Sequence, residues 1–140
     1  MTHKNDDRLR SLRIHCHPHG AAVAPNTFFI LSRGRNTGRP AWSPNRNCFA
    51  VTVNPDQLQA FYWLIYALWI GRRFEPYLCG SVIEFIHIRH LREVIAAHAH
   101  QLDKVDRIKK YLTDFTALET NLKNQLRLVQ IGYRSLLGAV

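Results

Sequence analysis

Residues His98–Leu137 read HAHQLDKVDRIKKYLTDFTALETNLKNQLRLVQIGYRSLL, and this stretch decides the fold of the C-terminal part of the chain. Its apolar residues recur at heptad positions a and d, beginning with a at Val105. Nine of the ten seam positions from Val105 to Leu136 are apolar, and Glu119 is the exception. This pattern predicts a long amphipathic helix that packs against another helix. The expected interface residues are Val105, Ile108, Leu112, Phe115, Leu122, Leu126, Val129, Tyr133 and Leu136.

The length of this helix bears on its partner. About 30 residues at 1.5 Å per residue span roughly 45 Å, which is more than a small domain readily covers. We therefore expect a partner helix, either its twin in a homodimer or a helix of another subunit. Packing of the helix on its own domain is the alternative.

The preceding residues predict a small α+β domain. Strands are expected at Thr27–Leu31 (TFFIL), Cys48–Val53 (CFAVTV) and Val82–Ile88 (VIEFIHI), because these runs are β-branched or aromatic. Asn54 and Pro55 open a helix that runs to about Gly71. Since this helix is apolar on every face from Ala60 to Ile70, it should be buried nearly all round.

The remaining segments are less regular. Met1–Arg13 is expected to be a basic arm or a short frayed helix, and Ile14–Pro25 a loop or an edge strand. Ser32–Asn47 is predicted to be a long loop, and Arg89–Ile95 a strand extension or a short helix. The resulting fold is a small mixed or antiparallel sheet with a buried helix in a domain of residues 1–97, followed by a long coiled-coil-like helix over 98–140.

Charge indicates the class of partner. The formal net charge is +9 over 140 residues, and Met1–Asn47 contains eight Lys and Arg against two acidic residues. Clustered positive charge favours phosphate backbones or acidic membranes, while a charged face that only keeps the protein in solution is the plain alternative. The longest apolar run, Ala60–Ile70, is shorter than the roughly 20 residues of a membrane span. Three widely spaced cysteines and the absence of a secretory signal predict a reducing, cytoplasmic setting.

The loop SRGRNTGRPAWSPNRN, Ser32–Asn47, combines four Arg and three Asn with two Gly. Arg and Asn are the side chains that contact phosphates and base edges, and glycine lets the backbone approach a duplex. An ordinary polar surface loop is the alternative, and Trp42 could either anchor the loop or stack on a base. The candidate DNA-binding residues are Arg33, Arg35, Asn36, Thr37, Arg39, Arg46 and Asn47, with Ser81 and Arg89 as additions.

Catalysis and metal binding have weaker signals. Acidic residues are scarce, and Glu84 with His87 lacks the lysine of a nuclease core. The His15–His19 segment contains three His and one Cys, but no second Cys/His pair stands at zinc-finger spacing. The Gly34–Gly38 loop has neither the GK[ST] ending of a phosphate-binding loop nor the G-x-G-x-x-G motif of a dinucleotide-binding fold. We therefore expect no catalytic site, cofactor or metal, although an enzyme that uses His87 and Glu84 stays a third hypothesis.

The order of segments from Asn54 to Leu91 resembles the end of a target recognition domain in specificity subunits of type I restriction-modification systems. Gly80–Ser81 followed by Val82, Phe85 and Ile86 stands where that family has a Gly-Ser strand. The entry Gln101-Leu102 and the end Ser135–Leu137 resemble the limits of its long helix, and FFILSRGRNTGRP its early strand and loop. Ala96–Ala99 replaces the proline-rich junction of the family, and this chain has one domain and one helix where the family has two of each.

The resemblance implies a non-catalytic, half-sized recognition module that binds double-stranded DNA. It would dimerise through its C-terminal helix and depend on a methyltransferase or nuclease subunit for chemistry. The chain is also similar to small uncharacterised proteins of bacterial mobile elements. The rival hypothesis is therefore a regulatory or adaptor protein that docks through the helix without binding DNA.

Overall fold

One antiparallel sheet organises the N-terminal part of the computed structural model, which describes residues 2–138. Its strands are β1 (Arg13–His17), β2 (Thr27–Leu31), β3 (Pro40–Ala41) and β4 (Cys48–Thr52), in the order β1-β4-β2-β3. The predicted strands at Thr27 and Cys48 are thus confirmed, the structure shows that they are neighbours in the sheet, and β1 is the edge strand allowed for by the sequence. The short strand β3 lies inside the segment that was predicted to be loop.

Four α-helices accompany the sheet in the described residues: α1 (Thr2–Ser11), α2 (Leu58–Ile70), α3 (Ile88–Ala97) and α4 (Val105–Gly138). Short 3-10 segments precede three of them, at Pro55–Gln57, Glu75–Tyr77 and Ala99–Lys104. The architecture is therefore α+β with a long C-terminal helix, as the sequence predicts. No helix among the described residues combines the length and apolar character that crossing a bilayer requires.

The main core lies between one face of the sheet and α2. Phe28 and Ile30 of β2 and Val51 of β4 are fully buried there with Phe61 and Ile65 of α2. Alternate residues of a strand point to opposite faces. Phe29 therefore lies on the other face, where it is buried with Cys48 and Ala50 in a smaller cluster.

The expectation that α2 is buried nearly all round is wrong. Phe61, Tyr62, Leu64, Ile65 and Leu68 are buried, but Trp63, Tyr66 and Trp69 are half-buried and Ile70 is 45% exposed. A single sheet covers only one side of a helix, so the large aromatic side chains on the other side of α2 stay partly exposed.

The predicted strand Val82–Ile88 is also wrong. Cys79 and Phe85 exchange two backbone hydrogen bonds of 2.9 and 3.0 Å, which close a turn over Gly80–Glu84. Val82 is 93% exposed at its tip, and α3 begins as early as Ile88. Ile86, in contrast, is buried at 3% exposure. The pattern of apolar and polar residues therefore does not indicate which side chains of this segment are buried.

The long helix begins later than predicted. Ala99, Leu102 and Val105 belong to the main core, and the chain divides into two compact units between Asp106 and Arg107 rather than between Ala97 and His98. One heptad before Val105 the seam positions are His98 and Gln101, both polar. The heptad pattern thus starts at Val105, and the preceding turn is part of the first unit.

Within the first unit, α1 is held by a carboxylate on the 3-10 turn Ala99–Lys104. The Asp103 Oδ1 atom accepts ion pairs from Arg8 Nη2 at 2.9 Å and Lys4 Nζ at 3.3 Å. Hydrogen bonds from Arg8 and Lys4 lower the pKa of Asp103 below its ordinary value. The ionised form is therefore the one that holds α1 in place.

This pairing predicts a pH-dependent contribution to stability. Because the folded pKa of Asp103 is depressed, its contribution is present above the unfolded pKa of about 3.9 and is lost as pH falls through the folded pKa. At neutral pH, Asp103→Asn should lower the urea midpoint of unfolding, and the difference from the wild type should vanish in acid. Asp7→Asn, which removes an exposed pair with Arg10, is the control. A difference for Asp103→Asn that persists in acid would contradict the assignment.

Candidate nucleic-acid interface

The segment Ser32–Asn47, here called the arginine loop, is a fixed structure rather than a flexible connection. Backbone hydrogen bonds join Leu31 N to Arg39 O at 2.9 Å and Gly38 N to Leu31 O at 2.7 Å. At its other end, Ser32 N donates to Asn47 O at 3.1 Å. The loop therefore continues the β2–β3 pairing outward and returns to the start of β4.

A second set of bonds joins the arginine loop to the turn Gly80–Glu84. Gly34 N donates to Glu84 O at 2.7 Å, and Ile86 N donates to Ser32 O at 3.2 Å. Two segments about 50 residues apart in sequence thus form one surface. These hydrogen bonds join segments that are distant in sequence, so no local sequence pattern predicts that the loop and the turn lie together.

Glycine conformation is required at two points of this surface. Gly38 has a φ of +94°, and a Cβ there would lie 2.5 Å from the Phe74 ring. Gly80 has a φ of +96°, and a Cβ there would lie 2.2 Å from Ile83 O. Only glycine allows both the left-handed backbone and the close approach.

The arginines of the loop are presented to solvent. Arg33, Arg35, Arg39 and Arg46 are all exposed. Within the described residues, the side chains of Arg33, Arg35 and Arg46 make no ion pair or hydrogen bond, whereas Arg39 lies over the Trp69 ring at 5.4 Å. Three guanidinium groups are therefore available to an anionic ligand.

The other predicted loop residues divide into two groups. Asn36 and Asn47 are exposed, so their amides can reach a ligand. Thr37 is 4% exposed, and its hydroxyl donates to the Gly34 carbonyl. Thr37 therefore organises the loop from inside and has no side-chain access to DNA.

Trp42 anchors the loop. Its ring stacks on Tyr62 with centroids 4.1 Å apart and an interplanar angle of 11°, and it meets Phe28 edge to face. Burial raises the pKa of Tyr62, so the phenol beneath the indole stays neutral well above physiological pH. One face of Trp42 is thus covered by the protein, although the residue is 44% exposed overall.

Two concave regions lie along this surface. A groove of about 330 Å³ has Arg33 and Asn47 on its walls together with Phe49 and Phe85. A cleft of about 440 Å³ has Arg35, Trp69 and Arg72 on its walls, together with the carboxylates of Glu84 and Glu75, of which Glu75 lies 3.9 Å from Arg72. Trp69 and Arg72 are not among the sequence-predicted site residues, because their place beside Arg35 follows from the packing of α2 under the loop.

The two additional candidates lie at the margins. Ser81 is exposed in the turn next to Val82, and Arg89 is exposed in the first turn of α3, where its Nε atom lies 3.9 Å from Glu93. Gly80 and Ser81 do not form the Gly-Ser strand that the resemblance to specificity subunits implies, since both lie in a tight turn.

The expected helix interface lies in the second unit. From Tyr111 onward, α4 has an apolar stripe in which neighbouring members are three or four residues apart and each is 46–75% exposed. This stripe, here called the seam face, consists of Tyr111, Phe115, Leu118, Leu122, Leu126, Val129, Tyr133 and Leu136. Single exposed apolar residues are ordinary, but a continuous stripe of this length marks an interaction surface.

The seam face differs from the predicted interface at its start. Val105 is in the core of the first unit, Leu112 is buried and Ile108 is half-buried. Tyr111 and Leu118 were not predicted, although both occupy the g position beside the seam. The exposed part of the predicted a and d seam begins at Phe115.

The groups considered for catalysis or metal binding are not brought together. Glu84 lines the cleft, whereas the His87 ring lies against Phe85 and His90. His17 packs edge-on against Phe29 at 5.0 Å, and His15 and Cys16 are exposed on opposite faces of β1. Among the described residues, no three His, Cys, Asp or Glu side chains are placed to hold one metal ion.

The geometry at Gly80 predicts a test of this surface. Gly80→Ala should lower the free energy of unfolding by roughly 2–4 kcal/mol, since it combines a left-handed backbone with a backbone clash. Gly34→Ala is the matched control, because Gly34 has the same φ of +96° with nothing within 4 Å of its Cβ position. It should cost about 1 kcal/mol from conformation alone. Urea unfolding measures both, and equal losses would contradict the clash.

Comparison with known proteins places the chain in a family. A family model described as a family of unknown function, DUF6943, matches residues 14–137. Neither a curated protein nor a solved structure shows significant similarity. Since the match extends from β1 almost to the end of α4, the chain belongs to the DUF6943 family.

Proposed function

We propose that this chain is a non-catalytic DNA-binding module that holds double-stranded DNA with the arginine loop and dimerises through the seam face of α4. The observation that supports this function best is the uncompensated charge of the loop. No acidic residue occurs between Asp7 and Asp56, and this interval contains seven arginines. Among them, Arg33, Arg35 and Arg46 make no ion pair on the described surface, although Glu84 and Glu75 line the same cleft as Arg35.

Charge of one sign without counter-ions raises the energy of a folded surface through self-repulsion, which a polyanion relieves. Neutralising DNA phosphates also releases condensed counter-ions, so each arginine contact adds to affinity. The backbone bonds of the loop fix its main chain before binding, which reduces the backbone ordering entropy that binding costs.

The state of the aromatic residues favours duplex DNA over a single strand. Single strands are bound by stacking their bases on free aromatic faces. Trp42 is stacked on Tyr62, and Trp69 lies under the Arg39 guanidinium. Arg and Asn side chains at the surface are instead suited to phosphates and groove edges.

In this proposal the seam face brings two copies together, so that two arginine loops meet two half-sites related by a dyad. A methyltransferase or nuclease subunit would supply any chemistry. Three free cysteines, one of them exposed, fit a reducing, cytoplasmic setting. The likeness to type I specificity subunits remains a prediction that the proposal does not require.

The second candidate is an adaptor that docks through the seam face and never contacts DNA. The exposed stripe from Tyr111 to Leu136 favours it, because this face needs a partner whether or not the loop binds DNA. The two candidates differ in what the arginine loop does, so substitutions there separate them.

The DNA-binding proposal predicts a loss of affinity when the loop loses charge. Replacing Arg33, Arg35 and Arg46 together with Gln should weaken binding to short random-sequence duplexes by at least about tenfold. It should also reduce the slope of log K against log salt by about 2.7, at about 0.9 for each phosphate contact. Fluorescence anisotropy over a salt series measures both quantities.

The control variant removes the same charge elsewhere, with Arg10, Lys104 and Lys110 replaced by Gln, all three being exposed. It should retain most of the affinity and of the salt slope. Equal loss in both variants would indicate unspecific attraction to a basic protein, and absence of binding at low salt would favour the adaptor.

The seam face predicts a change of oligomeric state. Leu122→Glu should convert a dimer to a monomer, since it places a charge in the middle of the apolar stripe. Asn124→Glu, two residues away on the outer side of the same helix, should leave the dimer intact. Light scattering gives the mass of each, and a wild-type monomer would contradict the dimer.

A further inference from the structure

Glu119 is the one polar member of the heptad seam between Val105 and Leu136. Its side chain is 59% exposed and pairs with Lys123 of the same helix, with Glu119 Oε1 2.7 Å from Lys123 Nζ. Glu119 occupies an a position. In a parallel, in-register helix pair, a positions face each other. Two Glu119 carboxylates would then meet inside an apolar interface, where like charges repel and desolvation is costly.

An antiparallel pair removes this conflict. In that arrangement a positions face d positions of the partner, and a dyad near Asn124 places the a and d residues from Phe115 to Tyr133 in layers. Glu119 faces the partner's Val129, and the partner's Gln130 lies at nearly the same level with an amide that can donate. The two Glu119 residues are then about 15 Å apart along the axis, at 1.5 Å per residue.

The other layers of this register are apolar on both sides. Phe115 meets the partner's Tyr133, and Leu122 meets the partner's Leu126. The dyad repeats each contact, so the segments from Phe115 to Tyr133 of the two copies form six layers. These layers extend over about 27 Å of the helix axis. At the flank, Leu118 lies beside the partner's Gly132, where the helix leaves open space.

The charges along α4 favour the same orientation. The first half of the helix carries three acidic and three basic residues and is neutral overall, whereas its charged residues from Lys123 onward are all basic. Antiparallel pairing sets the neutral half beside the basic half, whereas parallel pairing sets the two basic halves together, where they repel. One repulsion opposes the antiparallel orientation, because the two Lys123 side chains approach each other near the dyad. Each of them keeps its ion pair with its own Glu119.

We infer that a second copy of this chain docks on the seam face in the antiparallel orientation, with Glu119 as the residue that disfavours the parallel one. The inference rests on the dimer of the proposed function and adds its geometry. The helix starts at Val105 are then about 57 Å apart along the axis, at opposite ends of the pair.

Spin-label distances test the orientation. Cys16→Ser and Cys79→Ser remove the accessible thiols, and Cys48 is buried at 4% exposure. Two copies of Lys110 are about 42 Å apart along the axis of the antiparallel pair, so nitroxides on Lys110→Cys should be more than about 42 Å apart. In a parallel pair the axial offset is zero and the distance should be roughly 25–30 Å, because helix axes lie 8–10 Å apart and both labels point outward from the pair.

A nitroxide on Asn124→Cys is the matched control, because it lies near the dyad and gives a short distance in either orientation. A long Lys110 distance with a short Asn124 distance supports the inference. Short distances at both positions overturn the orientation and leave the dimer and DNA binding intact. No distance at either position, or a mass above a dimer, overturns the pairing itself, while the arginine variants still test DNA binding independently.

Discussion

The packing of α2 against one face of the sheet is the contact on which the rest of the first unit depends. The helix has no charged residue, and its buried side fills the space over β2 and β4 with Phe61, Leu64 and Ile65. Burying such side chains contributes about 1.5–3 kcal/mol each, so this layer is the main source of stability. The loops at its margins adopt their positions because the layer beneath them is fixed.

That dependence extends to the arginine loop. Phe74, which follows α2, lies so close to Gly38 that a side chain there would collide with its ring. Trp42 rests on Tyr62 of α2, and Arg39 rests on Trp69 of α2. The main chain of the arginine loop is therefore held on the hydrophobic layer by aromatic contacts and by the Phe74–Gly38 approach, and among its arginines Arg39 is itself held by one of these contacts.

Local sequence patterns predicted the elements in which the burial of a residue follows from the residues next to it in sequence. Thr27–Leu31 and Cys48–Val53 are short apolar runs buried on both faces, and α4 repeats one pattern for many turns, so each was predicted. Val82–Ile88 is similarly rich in β-branched and aromatic residues but was predicted wrongly, because the conformation of Gly80 and the pairing with Ser32 and Gly34 turn the chain away from the sheet. For the candidate site, the exposure of Arg33 and Arg35 follows from their polarity. The burial of Thr37 and the approach of Trp69 and Arg72 to Arg35 depend on contacts between distant segments, which residue spacing does not encode.

The late start of α4 has a consequence for how the family can vary. Along the chain, the main core of the first unit ends at Val105, and the residues of the seam face repeat with a period of one heptad. Insertion or loss of a whole heptad beyond this point would lengthen or shorten the helix by about 10.5 Å while every apolar residue kept its side of the helix. Insertions of other lengths would rotate the stripe away from its partner. Helix length is thus a quantity that can change in discrete steps, independently of the residues that fold the first unit.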